Sequence, residues 1–160
     1  MATRLTRDNM GAARLEEGKP AMPYPLEYAM ATQTWQKVLD AVRDETDLAT
    51  SNQAFTVLEG VLRAFRRRLD VQDSLRFADA LPVPVRALFV HDWDIEEECM
   101  PFLPPLQLAD EVRSLRKDHN FAPDSAVPDV ARALRRFVHP FHFDELIASL
   151  PQGAEEFWRG

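Results

Sequence analysis

The sequence predicts an all-α fold, a helical bundle of about eight helices formed by two tandem pseudo-symmetric repeats. Three observations favour this fold class. Apolar residues recur at the three- and four-residue spacing of a buried helix face in several segments. Proline and polar cap residues divide those segments into helices of ordinary length. The same order of segments then recurs 69 residues further along the chain.

The composition is that of a globular protein. Of 160 residues, 46% are hydrophobic and 28% are charged, which suits one domain or two small halves that share a core. No apolar run approaches the ~18–20 residues that span a bilayer, and the amino terminus lacks the apolar segment of a secretory signal. A net charge of −7 disfavours nucleic-acid binding, and the single Cys99 fits a reducing compartment. We therefore expect a cytoplasmic protein without membrane contact, for which a nucleic-acid partner is disfavoured.

Residues 1–33 differ from the rest of the chain. They hold four of the five methionines, and three prolines between positions 20 and 25 interrupt any helical pattern. We expect a flexible N-terminal extension that carries a short helix or an extended packing segment. Alternatively, translation starts at Met22 or Met30.

The first two helices follow from their apolar stripes. One helix is expected from Thr34 onward, with Thr32 or Thr34 as its N-cap. A longer stripe runs over Phe55–Leu69, and Ser51 or Asn52 is placed to accept the free amides at its start. The stripe of the first helix consists of Trp35, Val38, Leu39 and Val42.

Two shorter helices complete the first half. The segment Val71–Leu81 has Asp70 as its expected N-cap and stops at Pro82. Pro84 then suits the first position of a short helix over Val85–Phe89, where a missing amide hydrogen costs nothing. The expected buried face of the longer segment consists of Leu75, Ala78 and Leu81.

The second half repeats this order. Val57–Phe89 falls on Ala126–Trp158 without a gap at an offset of 69 residues, and residues 40–48 fall on 113–121 at an offset of 73. The expected N-cap Asp70 falls on His139, before Pro140. Because each copy alone would bury little core, the copies should pack together as one domain. The identical pairs are Val61/Val130, Arg63/Arg132, Ala64/Ala133, Arg66/Arg135, Arg67/Arg136, Leu81/Leu150 and Pro82/Pro151.

The expected domain covers residues 34–160. Repeat one spans about 34–90, an acidic linker spans about 91–105, and repeat two spans about 106–158.

These motifs resemble a bacterial family that is catalogued only as a domain of unknown function. Its members are all-helical, consist of two such repeats, and carry Leu-Pro after the third helix of each repeat. A turn between the halves corresponds here to residues 90–94, Val-His-Asp-Trp-Asp, in which His91 stands where the family more often has Gly. The resemblance covers Thr34 to Trp158. It implies the fold and no activity.

The recurring arginines are the candidate binding residues. If the repeats are related by a pseudo-two-fold axis, they present two equivalent basic patches that would recognise two anionic groups, such as phosphates or carboxylates. The alternative is that these cations only complement helix C-termini and keep an exposed face solvated, on the side of the helix opposite the apolar stripe. The six residues are Arg63, Arg66, Arg67, Arg132, Arg135 and Arg136.

Three other features favour a structural interpretation. His139 and His142 have a spacing that metal sites use, but Pro140 between them indicates a capping and a surface histidine. The acidic residues 92–98 fit a solvated linker rather than a calcium loop. Cys99 lies among apolar neighbours, which indicates a buried or half-buried thiol. No catalytic residue, metal site or cofactor is therefore expected.

The sequence favours a non-enzymatic binding or protein-interaction module whose partner is an unknown protein or a second copy of the chain. The alternative is a regulatory protein that binds a small anion or another small molecule through the arginine patches.

Overall fold

The computed structural model describes residues 25–115, 118 and 121–160, and this part of the chain is all-helical. It contains nine helices and no strands, which confirms the predicted all-α class. The helices are α1 (Leu26–Ala29), α2 (Ala31–Thr46), α3 (Ser51–Arg66), α4 (Val71–Asp79), α5 (Val83–Val90), α6 (Pro105–Ser114), α7 (Ala126–Arg135), α8 (Pro140–Ser149) and α9 (Ala154–Phe157).

The first long helix begins earlier than expected. Residues 1–24 of the expected N-terminal extension lie outside the described residues. Positions 25–33 hold α1 and the first turn of α2, so the long helix begins at Ala31 instead of Thr34. Thr32 and Thr34 therefore lie inside the helix, and no side chain caps its start.

Local capping explains where α3, α4 and α8 begin. The Asp70 carboxylate accepts a hydrogen bond from the amide of Asp73 (2.7 Å), as predicted for α4. The expected cap of α3 was wrong by one residue, because Thr50 forms a reciprocal capping box with Gln53. Pro140 is the first residue of α8, and the His139 side chain caps that helix.

One aromatic cluster forms the centre of the core and joins the two halves. The ring of Phe65 lies 4.7 Å from that of Phe77 and 4.9 Å from that of Phe157, measured between centroids. Trp158 lies 5.2 Å from both Phe65 and Phe77. Because the rings come from both halves of the chain, the halves share a single core. The fully or almost fully buried members are Phe65, Phe77, Phe89, Phe143, Phe157 and Trp158.

Helices of each half pack against helices of the other half. The second helix of the first half, α3, packs against α6, and α2 packs against α7. In both halves the two final helices contact each other, α4 with α5 and α8 with α9, and α4 also contacts α8. These matching contacts support the internal repeat, which remains a prediction.

Burial differs from expectation at one position of α4. Leu75 is 49% exposed, whereas Ser74, Phe77 and Ala78 face the core. The helical spacing is as predicted, but a different face of α4 is buried, because Phe77 packs into the aromatic cluster. No helix in the described ranges has the length and apolar character to cross a membrane.

Leu81 and Leu150, the leucines of the two Leu-Pro stops, provide a test of the core. They are 2% and 8% exposed. We expect Leu81→Ala and Leu150→Ala each to lower the free energy of unfolding by ~2–5 kcal/mol, with Leu150 at the lower end, because each leaves a cavity. Urea denaturation measures this loss. Leu75→Ala is the matched control and should change stability by less than ~0.5 kcal/mol. A near-neutral result at Leu81 or Leu150 would contradict their placement in the core.

Candidate functional site

The side chain of Arg66, the last residue of α3, is buried against the C-terminal end of α5 and is not part of an exposed basic face. Its side chain reaches the last turn of that helix, where Nη1 donates to the carbonyls of Phe89 (2.6 Å) and His91 (3.1 Å). Helix C-termini leave carbonyls without intrahelical donors, and a guanidinium there satisfies them. Arg66 is only 5% exposed, and this burial lowers its pKa, an effect to which the charge of Arg63 adds. The predicted solvated face is therefore wrong at this position.

Arg135 repeats this contact in the second half. Its Nε and Nη2 donate to the Trp158 carbonyl at 3.2 and 3.1 Å. Trp158 falls on Phe89 at the 69-residue offset, so both arginines bind the carbonyl of the corresponding aromatic residue. The guanidinium also lies 5.3 Å from the ring centroid of Phe143. The arginine that recurs in the two halves therefore has a structural role in both, because it binds a carbonyl at the end of the last helix.

A second arginine group joins α3 to α6. Arg67 donates from Nη1 to Glu111 (3.1 Å) and from Nε to Glu97 (2.7 Å). Arg68, which was not among the six candidates, donates from Nη2 to the other Glu111 oxygen (2.6 Å) and is itself buried. The charge run in the sequence was the available signal for Arg68, but its partner lies 43 residues away.

The corresponding group joins α7 to α2. Arg132 Nε donates to Glu45 (2.9 Å), and Arg136 also binds this carboxylate. The hydrogen bond from Arg132 is the largest factor that lowers the pKa of Glu45, and the charge of Arg136 adds to it. Asp129 is the second partner of Arg132.

All six predicted arginines therefore contact an internal carboxylate or carbonyl. The remaining one, Arg63, lies 3.4 Å from Asp92 and 3.6 Å from Glu59. An anion at these guanidinium groups would have to displace protein acceptors. Anion binding there stays a prediction.

The other sequence candidates have structural positions. The rings of His139 and His142 lie 4.5 Å apart, with His139 as the cap of α8. The described residues contain no group of three or more side chains suited to hold a metal ion. Cys99 is exposed, which corrects the expectation of a buried or half-buried thiol. The linker runs over the surface there, held by the amide of Met100 that donates to the Arg67 carbonyl (2.7 Å).

A groove of about 620 Å³, called the first groove from here on, lies between α2, α3 and α5. Its aromatic wall consists of Trp35 and Phe55, whose rings meet edge to face at 6.0 Å. Glu59, which is 9% exposed, also lines it. The lining residues are Ala31, Thr32, Trp35, Phe55, Glu59, Pro84, Ala87, Leu88 and His91.

Sequence reasoning did not find the first groove. The stripe pattern predicts that Trp35 and Phe55 face the core, and both side chains are partly buried. Both side chains also line the groove, to which α5 contributes Pro84, Ala87 and Leu88. Only the packing of three helices shows that space.

A family model described as an uncharacterised conserved protein, DUF2267, matches residues 35–157. The chain belongs to this family. The match contains nearly all of the described helical domain and confirms the resemblance inferred from the repeat motifs. No curated protein matches the DUF2267 chain, so no activity is carried over from a characterised relative.

Arg66 and Arg135 in this DUF2267 protein should differ in their effect on stability. A hydrogen bond that involves a charged group contributes ~1.5–3 kcal/mol when buried. We expect Arg66→Met to cost about 2–3 kcal/mol, because two carbonyls lose their donor in a dry site. Arg135→Met should cost about 1 kcal/mol or less, since water reaches its partly exposed side chain. Urea denaturation measures both losses. An Arg66→Met variant as stable as the wild type would contradict the capping role.

The Glu45 contact of the DUF2267 domain predicts a pH dependence. Its pKa lies below the ordinary value of 4.5, so the folded state prefers the charged form. The resulting stability is present above that value and is lost as the pH falls through the lowered pKa. We expect Glu45→Gln to lower Tm at pH 7, and the difference from wild type to shrink below pH 4.5.

The control is Glu155→Gln in α9, away from the contact between α2 and α7. Its Tm difference should stay small throughout. A Glu45→Gln difference that is constant from pH 7 to pH 3 would contradict the role of the charge.

Proposed function

We propose that this DUF2267 chain is a non-enzymatic binding protein and that the first groove is its ligand site. The observation that carries the proposal is the combination of volume and lining. A cavity of about 620 Å³ falls in the range of ~300–1,000 Å³ in which protein sites hold organic ligands. Most of its lining is apolar, with a few polar groups that would orient a ligand. This composition suits an apolar or aromatic group that carries one polar substituent.

The polar groups of the groove are held by the recurring arginines. Arg63 lies 3.6 Å from the Glu59 carboxylate, and Arg66 binds the backbone carbonyl of His91. Both groups are therefore positioned by α3, a helix anchored in the core. Thr32 of α2 adds a hydroxyl to the lining of the groove. A ligand hydroxyl or amide that enters between them meets both hydrogen-bond donors and acceptors.

A cytoplasmic location is part of the proposal. Cys99 is exposed and is the only cysteine of the chain, which suits a reducing compartment where an exposed thiol stays unoxidised.

The groove can be tested with a neutral apolar dye, Nile red, whose fluorescence rises in apolar surroundings. Ala87 is an exposed lining residue on α5, so Ala87→Phe fills the groove without a change in the core. We expect it to raise the Kd for the dye at least ~10-fold, a loss of about 1.4 kcal/mol. Titration followed by fluorescence measures this.

Ala148→Phe is the matched control. Ala148 is an exposed alanine on α8, outside the lining of the groove, and its substitution should leave the Kd unchanged. Dye binding that both variants weaken equally, or that Ala87→Phe leaves unchanged, would contradict a ligand site in the first groove.

A further inference from the structure

The lining of the first groove contains a carboxylate and no lysine or arginine among the described residues. The carboxylate belongs to Glu59, whose side chain is only 12% exposed. Most of the other lining residues are apolar, so water screens a charge in the groove less than it would on an open surface. The side chains that line the groove therefore favour a ligand group of positive charge over a negative one.

The nearest arginine does not reverse this charge. Nη2 of Arg63 lies 3.6 Å from Oε1 of Glu59 and 3.4 Å from Oδ2 of Asp92. One guanidinium thus serves two carboxylates, and the three side chains together carry a net negative charge. Arg66, the next cation along α3, directs Nη1 to the carbonyls of Phe89 and His91. Its charge therefore faces the negative end of the α5 dipole.

The segment that follows the groove in the chain has the same sign. His91 lines the groove, and residues 92–98 directly after it hold five acidic residues and no basic one. All five are exposed, although Glu97 is bound by Arg67. Exposed charges act over about a Debye length of ~8 Å, so the start of this segment contributes most. Together with the net charge of −7, it raises the local concentration of cations over that of anions.

The aromatic wall of the groove also suits a cation. The rings of Trp35 and Phe55 are inclined at 76° to each other. Ring faces attract organic cations through their quadrupole, and tryptophan does so most strongly. The same rings bury the apolar part of a ligand. Aromatic rings and a carboxylate in one lining are thus complementary to an apolar body that carries an amine.

We propose that the ligand of the first groove is a small organic cation, with its apolar or aromatic body against Trp35 and Leu88 and a protonated amine beside Glu59. The inference rests on the proposed function, because it names the charge class of the ligand for that same site. A protonated amine donates charge-assisted hydrogen bonds to the carboxylate, which a neutral hydroxyl cannot match in strength.

Three probes with one aromatic body and different charges test the inference. At neutral pH, naphthylmethylamine is positive, naphthalenemethanol is neutral and naphthoate is negative. Each is titrated against the complex of the full chain with Nile red. We expect the amine to displace the dye with a Kd at least ~10-fold below that of the alcohol, and naphthoate to bind most weakly. Added salt should reduce the preference for the amine. Equal binding of amine and alcohol, or tightest binding of naphthoate, would overturn the inference.

Two variants test the role of the carboxylate. Glu59→Gln keeps the shape of the side chain and removes its charge, so it should raise the Kd of the amine ~10-fold and leave that of the alcohol close to wild type. Arg63→Gln removes the cation that competes for Glu59 and should lower the Kd of the amine at least ~3-fold. Glu155→Gln in α9, outside the lining, is the matched control and should change neither. The Kd of the alcohol reports the shape of the groove in every variant. A Glu59→Gln chain that binds the amine as the wild type does, or that loses amine and alcohol equally, speaks against the inference.

The outcomes separate the inference from the proposed function. If Ala87→Phe weakens dye binding but the amine has no advantage over the alcohol, or no probe displaces the dye, the cation preference is overturned and the ligand site stands. If Ala87→Phe leaves dye binding unchanged, the ligand site is overturned, and the inference that rests on it falls too.

Discussion

The aromatic contact between the two halves is the interaction on which the rest of the structure depends. Phe65 from the first half lies 4.9 Å from Phe157 and 5.2 Å from Trp158 of the second half, and Phe77 lies 5.2 Å from Trp158, measured between ring centroids. Neither half alone would bury enough apolar surface for independent stability. Burial of these large rings brings the final helices of both halves into the centre, and their C-terminal carbonyls come with them.

These carbonyls explain why arginines lie at the ends of the final helices. A buried carbonyl without a donor costs about 1–3 kcal/mol, and Arg66 and Arg135 supply donors at the ends of α5 and of the region that follows α9. Their neighbours bind carboxylates of the opposite half, with Glu111 on α6 and Glu45 on α2. The same residues also position the polar side of the first groove, since Arg66 holds the His91 carbonyl. The arginines therefore affect the proposed site by holding its polar groups in place.

The first groove and a smaller groove of about 290 Å³ lie in different parts of the domain. Phe102 of the linker lines the smaller groove, where it contacts Phe157 and packs against the core. The first groove is larger, and Trp35 and Phe55 form its aromatic wall.

Local features were readable from the sequence, because their partners lie three or four residues away. The all-helical class, the Asp70 cap and the Leu-Pro stops followed from such short-range patterns, and the capping box of Thr50 and Gln53 was present there too, although Ser51 or Asn52 was chosen.

Tertiary structure alone decided burial and partners. Leu75 is exposed because Phe77 takes the core-facing position of α4. Arg66 is buried because it binds a carbonyl at the end of α5, 23 residues away in the chain. The first groove depends on three helices from distant parts of the chain. Helical periodicity specifies which side of a helix is apolar, and only packing specifies whether another element covers it.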